Sequence, residues 1–592
     1  MREDLSNERL LQTQSESAIA RLLESGHPLL IAYSGGKDST AVLVLALNAA
    51  RRLREVGRHV PRIIVTHGNT GIENPLVEAL AEREMQKARD FGKRHGLDVI
   101  AEVAVPSLND SWAMGILSGR RLPTFSNASS RDCTINWKIN PMVRLRKRLL
   151  AAAAQKDRAC PVTLIGTRFE ESEERAARMR ERGECDWEPW EQDGALFLSP
   201  IANWTSDDVW TFLGELRAGD LEGFTDSADV FDLYAQAGGT TCAVVADMAT
   251  ESSKKSRACG ARFGCALCTA VGRDRSLENM LEADPALAWL RPLNELQRFL
   301  VDTQYDFTRR NWLGRTIDDE GFIRIYPDTY SSSMLSELLR YALTVDALEE
   351  EASRRAGLIS PRFVLVPQTA LIGIDAQWAL QGIADKPFAA LAIWREVHIQ
   401  GKRYVPPASK KYPVKPFPAA RYLYVGANWD GARTRHLSGM RDPLLENARF
   451  DGQTGGTREL KDGRLILAME TAKVFSVDEE GAQMFFEWEA EEVLASRHDR
   501  PGASPARVYF HYLELGVIET SAKHQATLDA MMRRGAWRRR EGFTGDICLE
   551  QLRQESITAK QKTVQIANPP MDSPGPELLR PLRERLCEPL GL

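Results

Sequence analysis

Over the first third of the chain, apolar residues fall in short unbroken runs separated by longer mixed stretches. Residues 27–33 (HPLLIAY), 62–67 (RIIVTH), 97–105 (LDVIAEVAV) and 161–167 (PVTLIGT) have the length and composition of strands buried on both faces. Residues 38–54, rich in Ala and Leu, and residues 75–95 predict helices between them, and residues 1–25 predict a polar lead-in and a helix. Strands alternating with helices imply crossover connections and an α/β fold, a parallel sheet with helices on both faces.

The pattern changes at residues 236–280, where Gly, Cys and charged residues predict a loop-rich insert, continued by helices to about residue 350. Beyond it, residues 361–374, 421–426, 463–475 and 507–518 read as strands of a C-terminal α+β accessory domain, and residues 568–577 (NPPMDSPGPE) as an irregular linker before a last short helix. The expected division is 1–235, 236–350 and 351–592, with no internal repeat.

A length of 592 residues agrees with several cores, and 43% hydrophobic and 27% charged residues are ordinary for a globular chain. The net charge of −5 means that any nucleic-acid contact must come from local basic patches. No apolar run approaches the roughly 18 to 20 residues of a membrane span, and the opening MREDLSNERLLQTQSES lacks the apolar core of a signal peptide. A cytoplasmic protein with no membrane partner is expected. Four of the nine cysteines crowd into residues 242–268, a clustering that in a reducing compartment points to metal ligation or redox chemistry.

Candidate chemistry begins at Ser34-Gly35-Gly36-Lys37-Asp38-Ser39-Thr40, between a strand and a helix. Two glycines permit a tight turn that gathers backbone N–H groups, the helix adds the positive end of its dipole, and Lys37 adds charge. Ser34, Ser39 and Thr40 supply hydroxyl donors. The cradle suits a pyrophosphate, and it lacks the four-residue spacer of a Walker loop. The plainer alternative is an ordinary glycine turn.

SGGKDS after a strand resembles the PP-loop of the ATP pyrophosphatases, the superfamily of PAPS reductases, tRNA thiolation enzymes and DndC-type proteins. Thr70-Gly71, Arg131-Asp132-Cys133-Thr134 with Lys138-Ile139 and Pro141, Gly166-Thr167-Arg168 with Glu171-Ser172 and Arg175, and Ser199-Pro200-Ile201 with Trp204 and Asp208-Val209-Trp210 match the PAPS-reductase branch in order. The resemblance implies ATP bound at Ser34–Thr40, Thr70, Gly71, Gly166 and Arg168, with Lys37, Asp38, Lys138 and Arg168 catalytic. Arg168 follows a strand end, where ligands bind in open α/β sheets, and can fork onto a phosphate. Glu171 and Glu174 could hold Mg²⁺, or could pair with Arg175 and Arg178 at helical spacing. Trp204 and Trp210 read as core packing.

Cys242, Cys259, Cys265 and Cys268 form C-x16-C-x5-C-x2-C. Four thiolates can hold zinc or a [4Fe–4S] cluster, and spacing does not choose between them. The run CGARFGCALCT resembles the signature of DndC-type DNA phosphorothioation proteins and their SspD relatives, which implies a 4Fe-4S cluster on these cysteines. The function so implied is an ATP-dependent sulfurtransferase, a component of bacterial DNA modification and phage defence that adenylylates a DNA backbone phosphate. Its cofactors would be ATP, Mg2+ and the cluster. Its partners would be DNA, a cysteine desulfurase as sulfur donor, and other phosphorothioation-system proteins. Alternatives are a tRNA thiolation enzyme, a PAPS-reductase-like component of another defence system, and a nucleotide-sensing interaction protein.

Residues 401–425 carry Lys402, Arg403, Lys410, Lys411, Lys415 and Arg421 without an acidic residue, interleaved with Tyr404, Tyr412, Phe417, Tyr422 and Tyr424. Lysines that neutralise phosphates and rings that stack on bases make this a candidate nucleic-acid segment, with Lys402, Arg403, Lys410, Lys411, Tyr412 and Lys415 as contacts. The alternative is a solvated loop. A second basic cluster comprises Arg533, Arg534, Arg538, Arg539 and Arg540 around Trp537; its alternative is an exposed helix face.

Overall fold

A computed structural model describes residues 2–123, 133–153, 159–192, 194–238, 263–426, 475–498, 507–520 and 524–567, with short pieces at 429, 457–459, 465–467, 500 and 505. Cys242, Cys259, Arg131, Asp132 and the expected linker at 568–577 lie outside them. The chain divides into two compact units. The first comprises residues 1–106, 131–268 and 273–294, and the second 107–130, 269–272 and 295–592.

In the first unit, α1 (Arg2–Glu24), α2 (Lys37–Glu55) and α3 (Pro75–His95) lie where the apolar pattern places helices. The strands β1 (Leu29–Tyr33), β2 (Ile63–Gly68), β3 (Val99–Ala104), β4 (Val162–Leu164), β5 (Trp190–Gln192) and β6 (Ala195–Leu198) form one sheet in the order β3-β2-β1-β4-β6-β5. All neighbours pair in parallel except the edge strand β5, which runs antiparallel to β6. The period of two along each strand splits the core. Leu29, Ile31, Ile63 and Val65 pack with α1, α2 and α3, and with the helices Ser206–Ala218 and Ala228–Gly238. Leu30 and Ile64 pack on the other face with Leu145 and Leu149 of α4 (Asn140–Ala153). The order reverses between β1 and β4, so the crevice beyond their carboxyl ends is the expected ligand position of a doubly wound sheet.

In the second unit, β7 (Arg310–Ile317), β8 (Phe322–Tyr330), β9 (Arg421–Tyr424) and a strand at Ser556–Thr558 form an antiparallel sheet. Trp312, Leu313, Ile323, Ile325, Leu423, Trp537 and Phe543 build its core. The β7–β8 hairpin stands where helices were expected, and two expected strands are helices. Gln368–Gln381 takes in the second half of the run 361–374, and Arg507–Glu514 most of 507–518. Residues 368–381 are buried almost all round, so they lack the one-sided stripe that marks a helix in sequence. No helix among the described residues is long and apolar enough to cross a membrane.

Candidate functional site

The turn after β1 forms as its residues require. Gly35 has φ +75°, and a Cβ there would stand 3.3 Å from the Val77 carbonyl oxygen. Gly36 caps α2 without a side-chain hydrogen bond of its own, which leaves the cap position open at this helix N-terminus. Gly166, after β4, approaches the same turn so closely that a Cβ would meet Asp38 backbone atoms at 3.0–3.1 Å and the Ser39 nitrogen at 3.2 Å.

Two cations converge here. Lys37 Nζ lies 2.8 Å, and Arg168 Nε 2.7 Å, from the same Asp38 carboxylate oxygen. Both side chains are buried, with relative exposures of 7% for Lys37 and 5% for Arg168. Arg168 is further held by Glu170 at 3.0 Å. The hydroxyls expected to face a ligand are partly used by the loop. Thr40 donates to the Gly36 carbonyl, and so does Ser39, while the Ser39 oxygen also accepts from the Ser34 amide at 3.1 Å. Glu171 ion-pairs with Arg175 and Glu174 lies 3.9 Å from Arg178, as helical neighbours do. Trp204 and Trp210 are buried in the core, and the Trp210 ring faces Lys37 Nζ at 5.9 Å.

Thr70 and Gly71 lie in the loop after β2, braced by residues that sequence reasoning passed over. His67 Nδ1 contacts the Tyr33 carbonyl at 3.0 Å and Nε2 contacts Glu78 at 2.9 Å. Burial opposes the imidazolium, but Glu78 and the Tyr33 carbonyl outweigh it and hold the pKa above the usual histidine value. When protonated, the ring donates to both oxygens. Asn69 donates to Glu78 at 2.9 Å and accepts from the Gly71 amide at 2.6 Å. The available signal was a polar residue closing a buried strand at the edge of the sheet where ligands bind.

The cysteine segment reaches this same edge. Cys265 bridges to Glu73, and its Sγ lies 3.6 Å from the Thr70 hydroxyl and 3.8 Å from the Glu73 carboxylate. Lys138 contacts that carboxylate at 3.3 Å. Burial first, then Glu73, pushes the Cys265 thiol up to about 12. Cys268 donates its amide to the Cys265 carbonyl at 3.0 Å, so the two cysteines share one tight turn of the kind that presents paired thiols to a metal. Phe263 packs on Tyr234 with ring centroids 5.0 Å apart, and the Tyr234 hydroxyl accepts from the Lys37 amide at 3.4 Å. Among the described residues no group of three or more His, Cys, Asp or Glu forms a metal site. Of the four cysteines expected as ligands, Cys265 and Cys268 meet in one turn, and Cys242 and Cys259 lie outside the described residues.

In the second unit, residues 401–420 run without regular structure, and Lys402, Lys410, Lys411 and Lys415 are exposed. Arg403 is tied to Glu351 at 2.5 Å and to the Val397 carbonyl at 2.8 Å. Tyr404 donates to Glu396, Phe417 stacks on Tyr326, and Tyr424 packs on Phe322. Of the interleaved rings, Tyr412 is the more open, at 38% exposure.

A doubly wound sheet with a glycine-turned, lysine- and arginine-lined loop at its switch point defines a nucleotide-binding α/β domain. Residues 28–219 match the family model for the phosphoadenosine phosphosulfate reductase domain, which supports the PP-loop superfamily for this part of the chain. No curated protein matches the chain.

Proposed function

We propose that the protein is an ATP-dependent sulfurtransferase that activates a DNA backbone phosphate by adenylylation for phosphorothioate modification. The observation that supports it is the convergence of Lys37 and Arg168, from the loops after β1 and β4, on one oxygen of Asp38. Two buried cations that meet on one Asp38 oxygen, with Glu170 also on Arg168, are placed to receive a phosphate. A non-bridging oxygen of the DNA phosphate attacks the α-phosphorus of ATP, and the bond to the β-phosphate breaks, releasing pyrophosphate. Lys37 and Arg168 hold the charge that develops on the phosphates, with Mg²⁺ arriving on the triphosphate. A persulfide from a cysteine desulfurase partner then attacks the DNA phosphorus, AMP leaves with the former phosphate oxygen, and a thiol reductant cleaves the resulting S–S bond, leaving sulfur on phosphorus and carrying the other half away as a disulfide. Thr70 and Gly71 line the nucleotide site, and Lys138 holds the Glu73–Cys265 contact.

Cys242, Cys259, Cys265 and Cys268 would hold a [4Fe–4S] cluster, which supplies redox-active iron and sulfide when bound. Lys402, Lys410, Lys411, Lys415 and Tyr412 would lend an accessory DNA contact, while Arg403 serves the fold. Mass spectrometry of nuclease-digested DNA, from cells with and without the gene, tests the reading. Phosphorothioate-linked dinucleotides should depend on the gene and vanish with Lys37→Ala. Unmodified DNA alongside gene-dependent thiolated tRNA nucleosides would overturn it.

A further inference from the structure

The first unit has a cleft of about 440 Å³ whose residues the nucleotide chemistry does not use. Gln14, Ser17 and Arg21 line it from α1, Asp186 and Trp187 from the loop after the helix Glu173–Arg182, and Asn203 from the turn after β6. Spacings of three and four residues put Gln14, Ser17 and Arg21 on one face of α1, and all three are exposed. The volume is that of an ordinary ligand pocket.

Two contacts hold the cleft in shape. Arg21 Nη2 donates to the Trp187 carbonyl at 3.1 Å, which ties the loop to α1. Asn203 Nδ2 donates to Asp186 Oδ2 at 3.0 Å, which ties the loop to the turn. Both segments continue into the nucleotide site. Glu184, two residues before Asp186, accepts from the Thr167 hydroxyl at 3.0 Å. On either side of Asn203, the Ala202 carbonyl accepts from the Phe169 amide at 2.9 Å and the Trp204 carbonyl from Arg168 Nη1 at 3.4 Å. The cleft and Arg168 thus share one turn of the chain.

Three different chemistries meet in the cleft. Trp187 leaves its ring open to solvent, at 54% exposure. Asp186 is only 7% exposed, and its second oxygen, Oδ1, has no hydrogen-bond partner among the described residues. A buried acceptor without a donor destabilises the free protein, so admitting a ligand N–H is favourable. Arg21 is bonded to a neutral carbonyl and keeps its charge for a ligand. A ring, an acceptor and a cation together suit a nucleotide of an unpaired strand. A cationic side chain would also suit the ring and the carboxyl group, but Arg21 stands in the same cleft and repels it.

We propose that this cleft holds one unpaired base of the nucleic-acid substrate, with Trp187 stacking on it, Asp186 accepting from its exocyclic amine and Arg21 on an adjoining phosphate. The inference rests on the proposed function for its partner. A base held here fixes which phosphate of the strand lies at Arg168, so the cleft selects the position that is activated. Bases with an amine are preferred to uracil or thymine, which offer a carbonyl at the same place.

The test uses the full-length protein without ATP and fluorescein-labelled oligo(dC) and oligo(dU) of equal length. Fluorescence anisotropy should show the parent binding oligo(dC) about tenfold more tightly, because uracil leaves the Asp186 oxygen unpaired. Trp187→Ala should weaken binding of both strands about tenfold, and Trp187→Phe should keep most of the affinity. Asp186→Asn should remove the preference for oligo(dC), because an amide both donates and accepts. Arg21→Gln should lower the logarithmic salt slope by about 0.7. Thermal stabilisation by ATP reads the phosphate loop and should be unchanged in Trp187→Ala. That position is exposed, so its replacement tests the cleft even where Asp186→Asn fails to fold. Parental affinity for both strands in Trp187→Ala would overturn the proposal. So would binding of a hexa-arginine peptide that depends on Trp187 while strand binding does not, which would mark a docking site for a basic protein segment. Phosphorothioate in digested cellular DNA is read separately. Its absence beside intact Trp187-dependent strand binding would count against the proposed function and leave the cleft standing.

Discussion

At the scale of single residues, the centre of the site is one carboxylate oxygen shared by two cations of different origin. Lys37 belongs to the turn itself, and its place was legible because glycines, lysine and helix follow one another in sequence. The partnership with Arg168 was not legible, because it depends on β4 lying beside β1 in register, Leu29 opposite Val162. Nor was the part played by His67 and Asn69, whose contacts with Glu78 span the β2–α3 turn. Removing one charged donor that stabilises a developing oxyanion typically lowers kcat by about 10² to 10³. Lys37→Ala and Arg168→Ala should each do so. In the parent enzyme, chromatography should find AMP and pyrophosphate as products, since the loop is not a Walker loop. ADP as the main product would contradict the site's assignment. Because both residues grip the same group, the double variant should lose less than the product of the two single effects.

At the scale of elements, β1 to β4 were readable because each is a short apolar run, whereas β5, with two exposed polar residues in three, and the four-residue β6 were not. α3 begins on an Asn74 cap with Pro75 and ends on Gly96 at φ +65°. The second unit hid its helices by burying them. Gln368–Gln381 carries Asp375 inside the core, where its carboxylate accepts from the Ala390 amide at 2.8 Å and the Tyr512 hydroxyl at 3.0 Å. Asp346 accepts from the amides of Leu365 and Val366 at 2.7 and 2.9 Å. Burial outweighs these bonds and pushes both carboxyls up to about 7. An unfolded Asp titrates near 3.9, so the folded state favours the protonated acids. Their contribution is complete below the unfolded value and is lost as pH rises through about 7. His398 and His511, pushed down by burial, act in the opposite sense, losing stability as pH falls below about 6.5. Between about pH 6.5 and 8, thermal stability of the second unit should therefore fall by an amount on the order of a kcal/mol or more. Asp375→Asn should flatten that slope in calorimetry. A variant as pH-dependent as the parent would show that the carboxylate is not the source.

At the scale of the whole molecule, a net charge of −5 coexists with local concentrations of positive charge, so composition gave no warning of where an anion would be received. The same holds for the cysteines. Their crowding was visible in sequence, but the meeting of Cys265 with Thr70 and Glu73 joins positions almost two hundred residues apart. Phe263 against Tyr234, and Tyr234 against the Lys37 amide, tie the segment to the phosphate loop a second time. A metal on this turn would brace the nucleotide site by fixing the chain that packs on it, and ligation would have to draw the proton off a thiol that burial and Glu73 hold firmly. Anaerobically purified protein should be brown, with about four irons per chain. Cys268→Ser should bleach it and also raise the KM for ATP, because the loop bearing Thr70 and the Tyr234 contact would lose its anchor. The second unit should keep its thermal transition and its pH slope, which separates loss of the cluster from general unfolding. Stoichiometric zinc with no visible absorbance would replace the cluster with a structural metal. A bleached variant whose KM for ATP is unchanged would show that the cysteine turn and the phosphate loop touch without acting on one another.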